Sequence, residues 1–351
     1  KTNEQLYLTG LHLEQYRHAT YNPVDYYEEG LRRDPFDYHC NNALGLWCFR
    51  KGCFAKAEQY LRTAVKVIKK YNPNPYDGEP IYNLGLVLKY QYKFDEAYDY
   101  FWKSTWNAAW KDAGFFECAR ISVMQHRLND ALEEIDNSLA NNAFNHKARA
   151  LKVAILRLSE RKTEAIELAK ENIKIDGFNY MSLYELYLLT TDKQYVEQMT
   201  ELMHGASNNY HELALDYCAA GLCKDALSVL DLAVINHAST PMTYYYMGWA
   251  GREKAYKQGE LFNPDYCFPN RLEDVLALQA SLQHNGHDSR ASYYLGCLYY
   301  ANRQYKIAKE YWLESSIHGP EFPTVWRNLA LETYNKEHDA AQAVKYMEKS
   351  F

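Results

Sequence analysis

Residues 293–312 read YYLGCLYYANRQYKIAKEYW. Bulky aromatic residues crowd this stretch, yet Gly296 and Ala308 are small. Leu295, Gly296 and Tyr299 recur at helical spacing, and Tyr305, Ala308 and Trp312 do so again after ANRQ. The pattern predicts two helices in contact. A small residue on each would let the backbones approach while the large neighbours interlock around them. This is a helical hairpin, and the fold turns on whether the rest of the chain repeats it.

It does. YNLGLVLKYQYKFDEAYDYF places Leu84, Gly85 and Leu88 before Ala97 and Phe101. FECARISVMQHRLNDALEEI places Cys118, Ala119 and Ser122 before Ala131 and Ile135. Leu44, Gly45 and Cys48 precede Ala57 and Leu61, and Leu213, Ala214 and Tyr217 precede Ala226 and Leu230. The first small position falls at 85, 119 and about 153, then at 214 and 248, then at 296 and 330. That common step, 85 to 119 for example, is the period of helix-turn-helix arrays.

These residues resemble the tetratricopeptide repeat, with its Leu-Gly, aromatic, Ala, aromatic, Ala and closing Pro. Residues 292–320 carry it best, through Leu295, Gly296, Tyr299, Tyr305, Ala308, Trp312 and Pro320. The next unit supplies Trp326, Leu329 and Ala330, then Ala343 and Met347 after a one-residue insertion. Residues 1–36 hold a loose copy with Pro23, Tyr27, Gly30 and Pro35, and 149–177 another with Leu151, Ala154, Ala165 and Ala169. Segment 178–205 is degenerate and lacks both small positions. Two loops interrupt the array, YNPNPYDGEP (71–80) and KQGELFNPDYCFPNRLED (257–274). The expectation is one all-α, right-handed superhelical solenoid of about ten hairpins spanning 1–351.

NPNPYDGEPIYNLGL, STWNAAWKDAGFFECA, ASYYLGCLYYANRQY and FPTVWRNLALETYNK are also similar to the C-terminal repeat region of bacterial proteins with domain of unknown function 5107. There a β-rich part, reminiscent of carbohydrate-active modules, precedes the repeats. The resemblance implies that this chain is a piece of a longer protein, an expectation the opening Lys1 and the closing EKSF share.

Composition narrows the function. A chain of 351 residues exceeds one round core, so an elongated stack or several domains is expected. The net charge of −6 argues against a general nucleic-acid binder, since phosphate neutralisation needs clustered Lys and Arg. No apolar run is long enough to span a membrane. Eight cysteines show no CxxC pair, and they are expected as core thiols in a reducing, cytoplasmic setting. No phosphate-binding glycine loop and no GxSxG elbow is present. Glu133 and Glu134 are expected on the solvated side of their helix. HNGHD (284–288) is expected as a turn rather than a ligand set. His12 and His18 share no helix face. No cofactor, no metal and no enzymatic activity is expected.

The remaining signal is aromatic, with 33 Tyr and 7 Trp. In tetratricopeptide stacks the first helices line a concave surface. Carried over by register, the resemblance implies a groove of Tyr82, Tyr90, Phe116, Tyr245, Trp249, Tyr293, Tyr300 and Tyr334, with Arg120, Arg252 and Arg327 among them. The alternative is that these rings fill space between hairpins. The groove would take a protein or peptide segment, a missing N-terminal domain or a second copy of the chain. The rival expectation is a glycan, held by the accessory half of a carbohydrate-active enzyme.

Overall fold

The computed structural model describes residues 1–16 and 20–351, so His18 lies outside the described residues. Among the described residues the chain is helical, without strands. It divides into two compact units, Lys1–Met199 and Thr200–Phe351.

Unit 1 holds α1 (Asn3–Gln15), α2 (Pro23–Arg33), α3 (Tyr38–Arg50), α4 (Phe54–Ile68), α5 (Glu79–Tyr90), α6 (Phe94–Ser104), α7 (Lys111–Met124), α8 (Leu128–Asn141), α9 (His146–Leu158), α10 (Lys162–Ile175) and α11 (Tyr180–Thr190). The boundary falls within α12 (Lys193–Met203). Unit 2 holds α13 (Ser207–Cys218), α14 (Cys223–Ile235), α15 (Pro241–Trp249), α16 (Ala255–Leu261), α17 (Leu272–His284), α18 (Ser289–Ala301), α19 (Tyr305–His318), α20 (Pro323–Glu332) and α21 (Ala340–Glu348). In unit 1 each odd-numbered helix from α1 to α9 packs on the helix that follows it. In unit 2 the hairpins are α13–α14, α15–α16, α18–α19 and α20–α21.

The packing inside a hairpin is asymmetric. An added Cβ on Gly85 would meet the Phe101 ring at 2.8 Å, and one on Gly45 would meet Leu61 at 2.5 Å. The same fit joins Gly10 to Tyr27 and Gly296 to Trp312. The space a glycine leaves is filled by a large side chain of the second helix, not by its backbone as the sequence suggested. The second small positions, Ala57, Ala97, Ala131, Ala165, Ala226 and Ala308, are fully buried.

Local chemistry sets the turns. First helices end in a backbone bond spanning the turn, such as Cys53 N to Cys48 O at 2.9 Å and Arg161 N to Leu156 O at 2.9 Å. The residue between is left-handed: Gly52, Gly221 and Gly251, but also Tyr92, His126, Glu160 and Arg303. The helices α2, α8, α10 and α17 end in an Asx turn followed by an Asx cap on the next helix. Asp34 Oδ1 accepts from Phe36 N at 2.9 Å, and Asp37 Oδ1 accepts from Cys40 N at 2.8 Å. Asn142/Asn145, Asp176/Asn179 and Asn285/Asp288 repeat the device. HNGHD is therefore the turn expected, with Asp288 capping α18.

Three details depart from the register. The one-residue insertion before Ala343 is absorbed as a π-helical turn, Thr333–Glu337, closed by left-handed His338. The 257–274 loop is shorter than expected, because α16 runs to Leu261 and α17 starts at Leu272. Asp274 Oδ2 makes that start by accepting from Asn270 N at 2.7 Å and Arg271 N at 2.8 Å. Segment 178–205, though degenerate, still forms α11 and α12, with Leu186 buried in one cluster with Val153, Leu156, Ala165 and Ala169.

Candidate interaction surfaces

The expected groove residues occupy several environments. Tyr82 stacks on Trp110 with ring centroids 4.7 Å apart, and Tyr90 meets Phe49 edge-on at 5.1 Å. Phe116 is buried, and the Arg120 guanidinium lies 4.1 Å over its ring. Tyr293 packs edge-on against Phe322 at 4.9 Å, and Tyr300 lies 5.2 Å from Trp312. Both lean on one cluster of Trp312, Phe322, Val325, Trp326 and Leu329. Trp249 is half-buried. Arg252 pairs with Asp231, its Nη2 2.8 Å from Oδ2. Arg327 and Tyr334 are exposed, Tyr334 at 59 %.

Tyr245 corrects the expectation outright. It is fully enclosed, and its hydroxyl donates to Asp288 Oδ1 at 3.1 Å, so it is core rather than lining. The physical reason is enclosure from two sides, by the second helix of its own hairpin and by a helix of the next one. Gly259 of α16 and Tyr294 of α18 both pack against the Tyr245 ring.

Sequence reasoning also missed a polar spine along the odd-numbered helices of unit 1. Asn83 Nδ2 donates to Asn42 Oδ1 at 3.0 Å, which ties α5 to α3. Lys89 Nζ lies 2.6 Å from Glu117 Oε2, which ties α5 to α7, and Arg120 adds a second cation at 2.9 Å. Arg157 holds fully buried Glu185 through two bonds, 2.6 and 3.1 Å, which tie α9 to α11. Burial would raise the Glu117 carboxyl, but Lys89 and Arg120 outweigh it and hold it at about 2. Glu134 is a further correction. It is buried, not solvated, and accepts from the Tyr98 hydroxyl at 2.5 Å, while burial pushes its carboxyl up. A helical-periodicity argument sees each of these carboxylates only as a charge near an apolar face. The missing signal is the partner, which stands on another repeat.

Open aromatic surface lies elsewhere, at the turns. In unit 1 each connection that follows α2, α4, α6, α8 and α10 exposes a ring. These are Phe36 (62 %), Tyr76 (96 %), Trp106 (61 %), Phe144 (72 %) and Phe178 (62 %). Phe36, Phe144 and Phe178 occupy the same place in the Asx-x-Phe-Asx turn, so a sequence search for that quartet would have found them. Single exposed rings are ordinary on protein surfaces. Recurrence at one turn position is not explained that way. The turns are also firm, because the Asx oxygen holds the Phe backbone N–H in each case. The 71–80 loop is anchored too, since Asn107 Nδ2 donates to Tyr76 O.

Among the described residues, no group of three or more His, Cys, Asp and Glu is placed to hold a metal ion. None of their helices is long and apolar enough to cross a membrane. No family profile matches the chain.

Solved structures with some similarity include a tetratricopeptide repeat protein from Parabacteroides merdae ATCC 43184. It is 12 % identical with a TM-score of 0.39, and the match covers 89 % of this chain and 98 % of that one. Naa15/Naa10 bound to HypK-THB is 12 % identical with a TM-score of 0.38, covering 99 % of this chain and 63 % of that one. MamA is 22 % identical with a TM-score of 0.24, covering 56 % and 90 %.

Proposed function

We propose that this chain is a non-catalytic helical-repeat scaffold that binds an extended polypeptide segment along the turn edge of unit 1. Phe36, Phe144 and Phe178 are its anchors. The observation that carries the reading is the recurrence of an exposed phenylalanine at one position of three rigid turns, those after α2, α8 and α10. Such rings offer large contact area at little ordering cost, which is what interface anchors need. Of the groove expected from sequence, this reading retains Arg327 and Tyr334, which are open to solvent in unit 2. It also takes the chain to share a lineage with the bacterial proteins carrying domain of unknown function 5107. A segment of the same polypeptide then counts among the partners.

The polypeptide is favoured over a glycan by the state of the flanking Asx groups. Stacking on a sugar face works with acceptors free to take its hydroxyls. Here Asp34, Asn142 and Asp176 are each bound to a Phe backbone amide, and Asp37, Asn145 and Asn179 to a helix N-terminus.

The test is selection of a displayed random-peptide library on the full chain, beside an oligosaccharide array. Enriched peptides should bind the Phe144→Ser/Phe178→Ser variant about tenfold more weakly, with unchanged melting. Peptides that bind the variant equally would sink the reading. Array hits that the variant loses would move it to a glycan.

A further inference from the structure

Two stretches of unit 1 carry lysine and no carboxylate. KVIKKYNPNPY (66–76) runs from the end of α4 into the 71–80 loop, and YFWKSTWNAAWK (100–111) runs from α6 to the start of α7. They hold Lys66, Lys69, Lys70, Lys103 and Lys111, in a chain whose net charge is −6. The fold sets the two stretches side by side. Lys103 Nζ donates to Asn74 Oδ1 and Asn107 Nδ2 donates to Tyr76 O. At the end of the loop, a Cβ on Gly78 would meet Asn107 at 2.9 Å.

Among the described residues, none of these five lysines pairs with a carboxylate. The acids that follow the two stretches are turned to other partners. Asp77 Oδ1 accepts from Glu79 N at 3.0 Å, and Asp112 accepts from the side chains of Ser138, Asn142 and Asn145. Helix dipoles account for Lys66 and Lys103 in the last turns of α4 and α6, but not for the missing counter-ions. Open rings stand among the cations. Tyr71, Tyr76 and Trp106 are exposed, with Lys70 Nζ 4.8 Å over Tyr71 and Lys103 Nζ 3.6 Å over Trp106. Desolvation, and then the Lys69 charge, hold the Lys103 ammonium below its ordinary value.

We propose that this patch binds an acidic polypeptide segment, its carboxylates on Lys69, Lys70 and Lys103 and an apolar side chain against Tyr76 and Trp106. The inference rests on the polypeptide reading above and gives that segment a charge. Charge complementarity selects the partner, since an acidic segment supplies the counter-ions the patch lacks. A nucleic acid fits less well, because it needs a longer cationic track. Here Asp77 and Asp112 stand directly at the ends of the two stretches, where a long polyanion would meet them.

The experiment is a fluorescence-anisotropy titration of the full chain with a labelled peptide of alternating Glu and Leu. The same peptide with Gln for Glu and a labelled oligouridylate serve as comparators. The acidic peptide should bind about tenfold more tightly than the Gln peptide, and added salt should erase the difference. Lys69→Glu/Lys70→Glu changes two exposed residues, so it should melt like the parent while losing about tenfold in affinity for the acidic peptide. Tyr76→Ser, on the loop, should weaken both peptides alike.

The proposal is overturned if the Gln peptide binds as well as the acidic one, or if Lys69→Glu/Lys70→Glu binds the acidic peptide like the parent. Tighter binding of the oligouridylate overturns it in favour of a nucleic acid. The Phe144→Ser/Phe178→Ser variant separates the two readings. If it alone loses the acidic peptide, the turn anchors stand and the charge assignment fails. If only the lysine variant loses it, the patch stands and Phe144 and Phe178 are not the anchors.

Discussion

Gly85 and Phe101 share one volume: a Cβ on Gly85 would stand 2.8 Å from the Phe101 ring. The residues belong to the two helices of one hairpin, so their fit sets the helix separation. Gly85→Ala should cost roughly 1–3 kcal/mol in chemical denaturation, the range for overpacking a filled core. In the double variant, Phe101→Leu should recover part of that loss by vacating the contested space. Strictly additive costs would show that the two residues do not compete.

Tyr293 and Tyr334 separate packing from surface. Tyr293 leans edge-on against Phe322 within the cluster under α20, whereas Tyr334 stands out of the π-helical turn. Tyr293→Ala should lose roughly 3 kcal/mol through the cavity it leaves. Tyr334→Ala should stay within about 0.5 kcal/mol of the parent. Thermal melts of both variants give the answer, and equal melting temperatures would contradict these placements.

Lys89 and Glu117 join α5 to α7 in unit 1, and their pairing is pH-dependent with a definite sign. The folded Glu117 carboxyl sits at about 2, below its ordinary 4.5. The stability it contributes is present above 4.5 and drains away as pH falls towards 2. Lys89→Met leaves a buried carboxylate with Arg120 as its remaining cation, and should cost about 3 kcal/mol at neutral pH. Adding Glu117→Gln should return much of that loss. A Lys89→Met variant as stable as the parent at pH 7 would refute the pairing as a stabilising contact.

Glu134 runs the other way. Burial raises its carboxyl, and Oε2 has no hydrogen-bond partner although Oε1 takes the Tyr98 hydroxyl. Its folded value lies above the unfolded one, so its contribution is best at low pH and is lost as pH rises. Glu134→Gln keeps the Tyr98 bond and removes the charge. It should gain about 1 kcal/mol at pH 7, with the gain shrinking towards pH 4. A variant less stable than the parent at pH 7 would show that the charge is wanted.

The left-handed turn residues give a further contrast. Glu160 is exposed at φ 59°, in the place where Gly52 stands at φ 74° in an earlier repeat. Glu160→Gly removes a steric cost of about 1–2 kcal/mol but loosens the unfolded chain, so the net gain should be about 0.5 kcal/mol. Gly52→Ala should lose about 1 kcal/mol. The two melts should move in opposite directions.

The hairpin and its register were legible because their causes are local. Gly85 meets Phe101, Gly45 meets Leu61 and Gly296 meets Trp312 within one hairpin, at one spacing along the chain. A pattern of small and large residues therefore records the contact. The caps are local as well, and the insertion before Ala343 showed in the sequence even though its form, a π-helical turn, did not.

What the sequence could not decide is which rings and charges face solvent. Tyr245 and Phe144 are both aromatic, yet Tyr245, in the middle of α15, is sealed by α16 and α18, and Phe144 stands free on the turn after α8. Glu117, Glu134 and Glu185 sit among buried residues because Lys89, Tyr98 and Arg157 reach them from other repeats. Burial of a side chain is a property of everything packed around it, and those neighbours stand far away along the chain. Only the tertiary structure brings them together.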